Sequence, residues 1–145
     1  ALMKERGTYL VPTTYLVDGI PLDQLNPVMR GKAEYVLPIA RERLREAIAQ
    51  DVPIAFGTDA AVFPHGDNAR EFGVLVGLGM SELEAIRTAT VHAADLLGVD
   101  DRGIIAQGML ADLVAVPGNP LEDITTTDSV DFVMLGGKVY MHPTH

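Results

Sequence analysis

The run Ile54-Ala55-Phe56 is apolar, is bounded by Pro53 and Gly57, and gives way almost at once to Asp59. A short apolar run between turn residues reads as a strand buried on both faces, the kind found in parallel sheets. Asp59 then falls just past the strand's C-terminal end, where barrel enzymes hold their chemistry. A carboxylate is costly to desolvate there unless a metal or a transferred proton partners it. The competing reading is an aspartate that caps a turn or a helix through backbone amides. Asp59 is the leading candidate for function.

The elements around this strand alternate in type. Residues 8–16 are rich in β-formers, with Pro12 marking an end or a break. Residues 17–32 carry Gly19, Pro21, Asn26-Pro27 and Gly31 and read as a long loop. A helix is predicted over 33–50, with Pro38 as a potential interruption and Ile39, Leu44 and Ile48 on its apolar face. After the strand and a loop over 57–68, a helix is predicted over 69–76, capped by Asn68 with Glu71 as its box partner. Ser81 and Glu84 form the same kind of box for a helix running to Leu97, with Gly98 as its C-cap. Strand, helix, strand, helix is the order of right-handed parallel units.

The pattern changes after Gly98. Short strands are predicted over 103–105, 112–116, 132–135 and 138–141, the last two joined by the two-residue turn Gly136-Gly137. The expected division is an α/β part over 1–97 and a small all-β part over 98–145.

Charge and cysteine content narrow the partners. A net charge of −9 argues against nonspecific nucleic-acid binding, which Lys and Arg drive by neutralising phosphates. With no cysteine among 145 residues there is neither disulfide nor thiolate ligand nor thiol nucleophile. No apolar run is long enough to span a bilayer, so no membrane role is expected; the lack of cysteine fits a reducing compartment, and the cytoplasm is the expected one. Ala1 to Gly7 reads as the last turns of a helix with Gly7 as its cap, so upstream sequence is expected.

Three groups of residues, in this order, resemble the C-terminal part of the amidohydrolase superfamily. The first is Phe56-Gly57-Thr58-Asp59-Ala60, then Pro64-His65-Gly66-Asp67-Asn68 and Glu71. The second is Ala85-Ile86-Arg87-Thr88-Ala89-Thr90 leading into Ala93-Ala94-Asp95-Leu96-Leu97-Gly98. The third runs from Gly103-Ile104-Ile105 through Gly108-Met109-Leu110-Ala111-Asp112-Leu113-Val114 to Asn119-Pro120-Leu121 and Val133-Met134-Leu135-Gly136-Gly137-Lys138-Val139. Each is weak alone; order and spacing together are specific. Within the superfamily the chain is most similar to the imidazolonepropionase-like and Xaa-Pro or Xaa-Arg dipeptidase-like group.

The resemblance implies an α/β fold: the C-terminal portion of a TIM (β/α)8 barrel, strands 7 and 8 with their helices, then strands of a small β-sandwich. Residues 8–13 would be the seventh strand and 54–56 the eighth. Asp59 then matches the family aspartate that binds metal and takes the proton from the attacking water. The cofactor implied is a divalent metal, expected to be zinc, as one or two ions. Family members also carry a His-x-His pair, a lysine or glutamate bridge and two further histidines on earlier strands. None of these is present; the histidines are His65, His92, His142 and His145. The chain therefore reads as the final third of such an enzyme and is not expected to turn over substrate alone.

His65 is a candidate substrate contact or a loop histidine held by its neighbours, and Asn68 a candidate substrate donor or a helix cap. His92, among Ala89, Ala93 and Leu96, reads as a packing histidine, and His142 and His145 as tail residues. Tyr15 reads as packing at a strand end, with a pocket-lining role as the alternative. The expected substrate is a small molecule or a dipeptide-like amide, and association through exposed barrel edges, including homo-oligomers, is expected. The rival class is a binding or assembly module without catalysis that keeps part of the fold.

Overall fold

The computed structural model describes residues 2–19, 21–61 and 63–142. The two predicted parallel strands meet, in the predicted direction, but only at one bridge between Leu10 and Ile54. The Leu10 N–H donates to the Pro53 carbonyl at 2.8 Å, and the Ala55 N–H donates to the Leu10 carbonyl at 3.0 Å. Pro12 and Pro53 lack the N–H groups that a longer ladder requires. Beyond the bridge, the Phe56 N–H donates to the Thr88 carbonyl at 2.9 Å, which ties this strand to a helix end. Gly57 is required at the close approach that follows. A Cβ there would lie 2.5 Å from Val11 Cγ1 and 3.3 Å from the Pro12 carbonyl oxygen.

Helices surround this pair. They are α1 (Leu2–Arg6), α2 (Leu16–Gly19), α3 (Pro27–Ala49), α4 (Arg70–Gly77), α5 (Glu82–Thr88) and α6 (Val91–Leu97). Leu44, Ile54, Leu75, Leu78 and Ala85 form the buried centre, with Leu10, Ile48, Phe56 and Phe72 packed against it. Among the described residues no helix is long and apolar enough to cross a membrane.

Several expectations need correction. The loop expected over 17–32 contains α2, a 3-10 turn at Leu22–Gln24 and the first turn of α3. Asn26-Pro27 is a helix start: the Asn26 side chain accepts from the Met29 N–H, and Pro27 needs no donor at the first helical position. Pro38 lies inside α3 without ending it. Ile39 is 46% exposed while Leu44 is buried, because five residues turn a helix by about 140° and place the two on different faces. The helix expected to run from Ser81 to Leu97 is two helices, α5 and α6, parted at Ala89-Thr90. Ser81 caps α5 by accepting from the Glu84 N–H at 3.3 Å, while the Glu84 carboxylate turns to Arg87. Gly98 closes α6 in the left-handed conformation, as expected.

The C-terminal residues form a three-stranded antiparallel sheet in the order β1 (Leu113–Ala115), β2 (Phe132–Leu135), β3 (Lys138–Met141). The β2–β3 hairpin matches its predicted bounds. Gly136 and Gly137 both have positive φ, 56° and 79°, as a two-residue turn of this hand demands. Met134 pairs with Val139 and Val133 with Met141, so the register slips by one residue at Tyr140. Residues 103–105 are not a strand. Gly103 has φ +93°, a conformation foreign to strands, and a Cβ there would meet the Thr90 carbonyl oxygen and Ala94 Cβ at 3.1 Å. Ile124, in a 3-10 turn over Ile124–Asp128 that packs on α4, is buried.

Candidate functional site

Asp59 leaves the strand in a left-handed backbone conformation, φ 54°, and its side chain is exposed. Among the described residues no hydrogen bond or ion pair engages its carboxylate. Two residues on, Ala61 has φ 117°, so this corner of the loop departs twice from the conformations L-residues prefer. The loop is closed on itself by the Thr58 hydroxyl, which donates to Asn68 Oδ1 at 3.0 Å. Between these anchors Pro64 leads into a 3-10 turn over His65–Asp67, and His65 is exposed on it.

Asn68 does not cap α4. The residue at the cap position is Ala69, with no side-chain bond, and Asn68 contributes only its carbonyl to the Glu71 N–H at 3.3 Å. Its side-chain oxygen accepts from the Thr58 hydroxyl instead.

Glu71 is the residue sequence reasoning undervalued. Its side chain is fully buried on the inner face of α4, beside Leu75. Its carboxylate accepts the Thr14 N–H at 3.1 Å and the Tyr15 N–H at 2.5 Å. Burial pushes this carboxyl above its ordinary value; the Tyr15 and Thr14 N–H groups and the Thr14 side chain oppose the rise, and Asp18 adds to it. The signal was available: Glu71, Leu75 and Leu78 repeat at the spacing of one helix face, and the other two are buried core.

Tyr15 and Arg70 complete this wall. The Tyr15 ring meets Phe63 edge to face at 5.0 Å, so the turn after Leu10 touches the loop that carries Asp59. Arg70 Nη1 donates to the Tyr15 hydroxyl at 2.9 Å, its guanidinium lies 5.8 Å from the ring centre, and Nη2 reaches Asp67 at 3.3 Å. Asp59, His65 and Asn68 thus share one loop, with Tyr15, Phe63 and Glu71 behind it.

His92 belongs elsewhere. Its Nδ1 lies 3.0 Å from the Ile54 carbonyl and so carries the proton, and its ring lies near Tyr9 at 6.3 Å. The Tyr9 hydroxyl donates to Asp95 at 2.6 Å, and this bond holds its pKa above the ordinary value. This is the packing role expected of His92. His145 lies outside the described residues.

A metal needs more than this loop supplies. Among the described residues no three His, Asp or Glu side chains converge on one point. The open carboxylate of Asp59 suits one oxygen position of a hard or borderline divalent ion and leaves the other positions to ligands from elsewhere.

The family model described as the amidohydrolase family matches residues 1–140. An ochratoxinase of Aspergillus niger is 34% identical over 152 aligned positions, covering 98% of this chain and 31% of that protein. An imidazolonepropionase of Alteromonas mediterranea is 32% identical over 111 positions, covering 68% of this chain and 26% of that protein. Among solved structures, a Xaa-Pro dipeptidase with methionine bound in its active site superposes with a TM-score of 0.90 at 42% identity. That match covers 97% of this chain and 36% of the dipeptidase. The Aspergillus niger ochratoxinase structure superposes with a TM-score of 0.84 at 32% identity, over 98% of this chain and 34% of that one. The chain spans about a third of the length of these relatives. The strand-end aspartate, the closed loop after it and all but the last residue of the C-terminal hairpin fall within the matched residues, and the chain belongs to the amidohydrolase family.

Proposed function

We propose that this chain is the C-terminal portion of a hydrolase that cleaves an amide-type carbon–nitrogen bond, with Asp59 as its general base and one of its metal ligands. The observation that carries the reading is the Asp59 carboxylate: exposed, unengaged among the described residues, and presented just past the C-terminal end of a buried strand. The relatives' names point to the bond class: a Xaa-Pro dipeptidase and an ochratoxinase. On this reading residues 1–97 finish a (β/α)8 barrel, residues 98–145 belong to a small β-sandwich, and the remaining barrel strands and ligands lie upstream.

A divalent ion, zinc by expectation, would lower the pKa of a bound water to about 7 when present. The chain's own part is proton handling and placement. One Asp59 oxygen accepts the attacking water's proton and returns it to the departing amine nitrogen. The Thr58–Asn68 bond fixes the loop around it and leaves the Asn68 amide N–H free to donate to a substrate carbonyl or carboxylate. On this reading His65, exposed on the same loop, contacts the substrate.

The test is turnover by the complete protein on a panel of Xaa-Pro dipeptides and N-acyl amino acids, wild type against Asp59→Asn. Loss of a general base costs about 100- to 10,000-fold in rate. Near wild-type turnover by the variant, or no hydrolysis of any amide in the panel by the intact protein, would refute the proposal.

A further inference from the structure

We propose that Glu71 is a positioning residue: by holding two consecutive backbone N–H groups, it fixes the turn at Thr14-Tyr15 against the loop that carries Asp59. The inference rests on the reading of that loop as functional. Three observations carry it. The carboxylate is fully buried and accepts two consecutive main-chain N–H groups from one turn on another element, with the Thr14 side chain beside them. Among the described residues no Lys or Arg neutralises it; its neighbour Arg70 is committed to Tyr15 and Asp67. The residue it holds, Tyr15, packs edge-on against Phe63, so the position of the turn is passed to the Asp59 loop.

A leucine here would avoid the cost of desolvating a carboxylate. What leucine cannot supply is a pair of acceptor oxygens facing two adjacent N–H groups. Thr14 and Tyr15 are both buried, so without Glu71 their N–H groups lose their acceptor. The turn would then reorient toward water and carry the Tyr15 ring away from Phe63.

The test is amide hydrogen exchange on wild type, Glu71→Gln and Glu71→Leu, with the β2–β3 hairpin amides as the internal reference. Expected is exchange at Thr14 and Tyr15 about tenfold faster in the Gln variant, the ratio for one lost hydrogen bond. The Leu variant should be faster still, and 58–68 should follow while Met134 and Val139 stay unchanged. If the Leu variant fails to fold, the Gln variant decides. Equal acceleration everywhere, or none at Thr14 and Tyr15, overturns the proposal. In the complete enzyme the Gln variant should lower kcat, because a shifted Asp59 loop misplaces the base; a lower melting temperature with kcat unchanged also overturns it. Activity that survives Asp59→Asn would refute the catalytic reading, while the exchange pattern still decides the clamp.

Discussion

Asp59 and Glu71 are carboxylates on one continuous stretch of chain, and the structure treats them in opposite ways. Asp59 stands exposed on a corner of positive φ with nothing bound to it among the described residues. Glu71 is sealed in the core of α4 with both oxygens occupied by backbone donors. The first has the freedom a reacting group needs and contributes little to stability. The second has no freedom and gives the neighbouring turn a fixed address. On the proposed function, one loop and the helix after it carry one acid that is available and another that is not.

The most decisive way to break this contrast is Asp59→Asn in the complete protein. The expected result is the loss of turnover stated above, with unfolding free energy changed by no more than about 0.5 kcal/mol, because the exposed side chain is replaced by one that tolerates the same left-handed backbone. A large loss of stability would show that Asp59 is structural after all.

Gly57→Ala should come next in effect on the fold. The new methyl meets Val11 Cγ1 at 2.5 Å, and overpacking of this kind costs about 1–3 kcal/mol. The variant should melt earlier and lose protection at the Leu10 and Ala55 amides first. Unchanged protection at those two amides would show that the strand pair tolerates more room than the structure allows.

The buried partner can be probed by pH. Desolvation raises the folded-state pKa of Glu71 above the ordinary carboxylate value. A raised pKa means that the folded state holds the proton more tightly, so stability is greatest at low pH and falls as pH rises through the folded value. The charges around it are Asp18, which favours the proton, and Arg70, which is paired with Asp67 and Tyr15. Urea unfolding of wild type and Glu71→Gln from pH 4.5 upward should therefore show wild type losing ground to the variant. The opposite trend would mean that the two N–H donors outweigh desolvation. The smallest effect is expected for Thr58→Val, which deletes one partly buried hydrogen bond and should cost about 0.5–1.5 kcal/mol. Its signature is faster exchange in the Asp59 loop with Thr14 and Tyr15 unaffected.

The parts of the molecule legible in the sequence are those whose cause is local. The β2–β3 hairpin was readable because a Gly-Gly pair supplies both positive φ values and the flanking residues are strand formers. The Ser81 and Gly98 caps were readable for the same reason. Asp59 could be singled out because a buried strand and a turn announce where its carboxylate goes. The Asn26-Pro27 pair was misread because the same dipeptide punctuates loops and starts helices, and only the residues after it decide. Residues 103–105 look like a strand until one sees that Gly103 sits against Thr90 and Ala94, a contact no local pattern contains. Glu71 looked like a cap partner because its neighbour is Asn68. Its actual partners, Thr14 and Tyr15, lie far away in the chain.

The two left-handed residues at Asp59 and Ala61 bear on whether this loop could be moved to another protein. Neither is glycine, and a free peptide of this sequence would spend little time with both in that conformation. The direction in which the carboxylate points is therefore inherited from what grips the two ends: the Ile54 strand held by Leu10 and Thr88 on one side, α4 held by Glu71 on the other. Grafting residues 57–68 alone onto a foreign strand would transplant the letters and lose the geometry. The smallest portable unit includes the strand, the loop, α4 and the Thr14-Tyr15 turn.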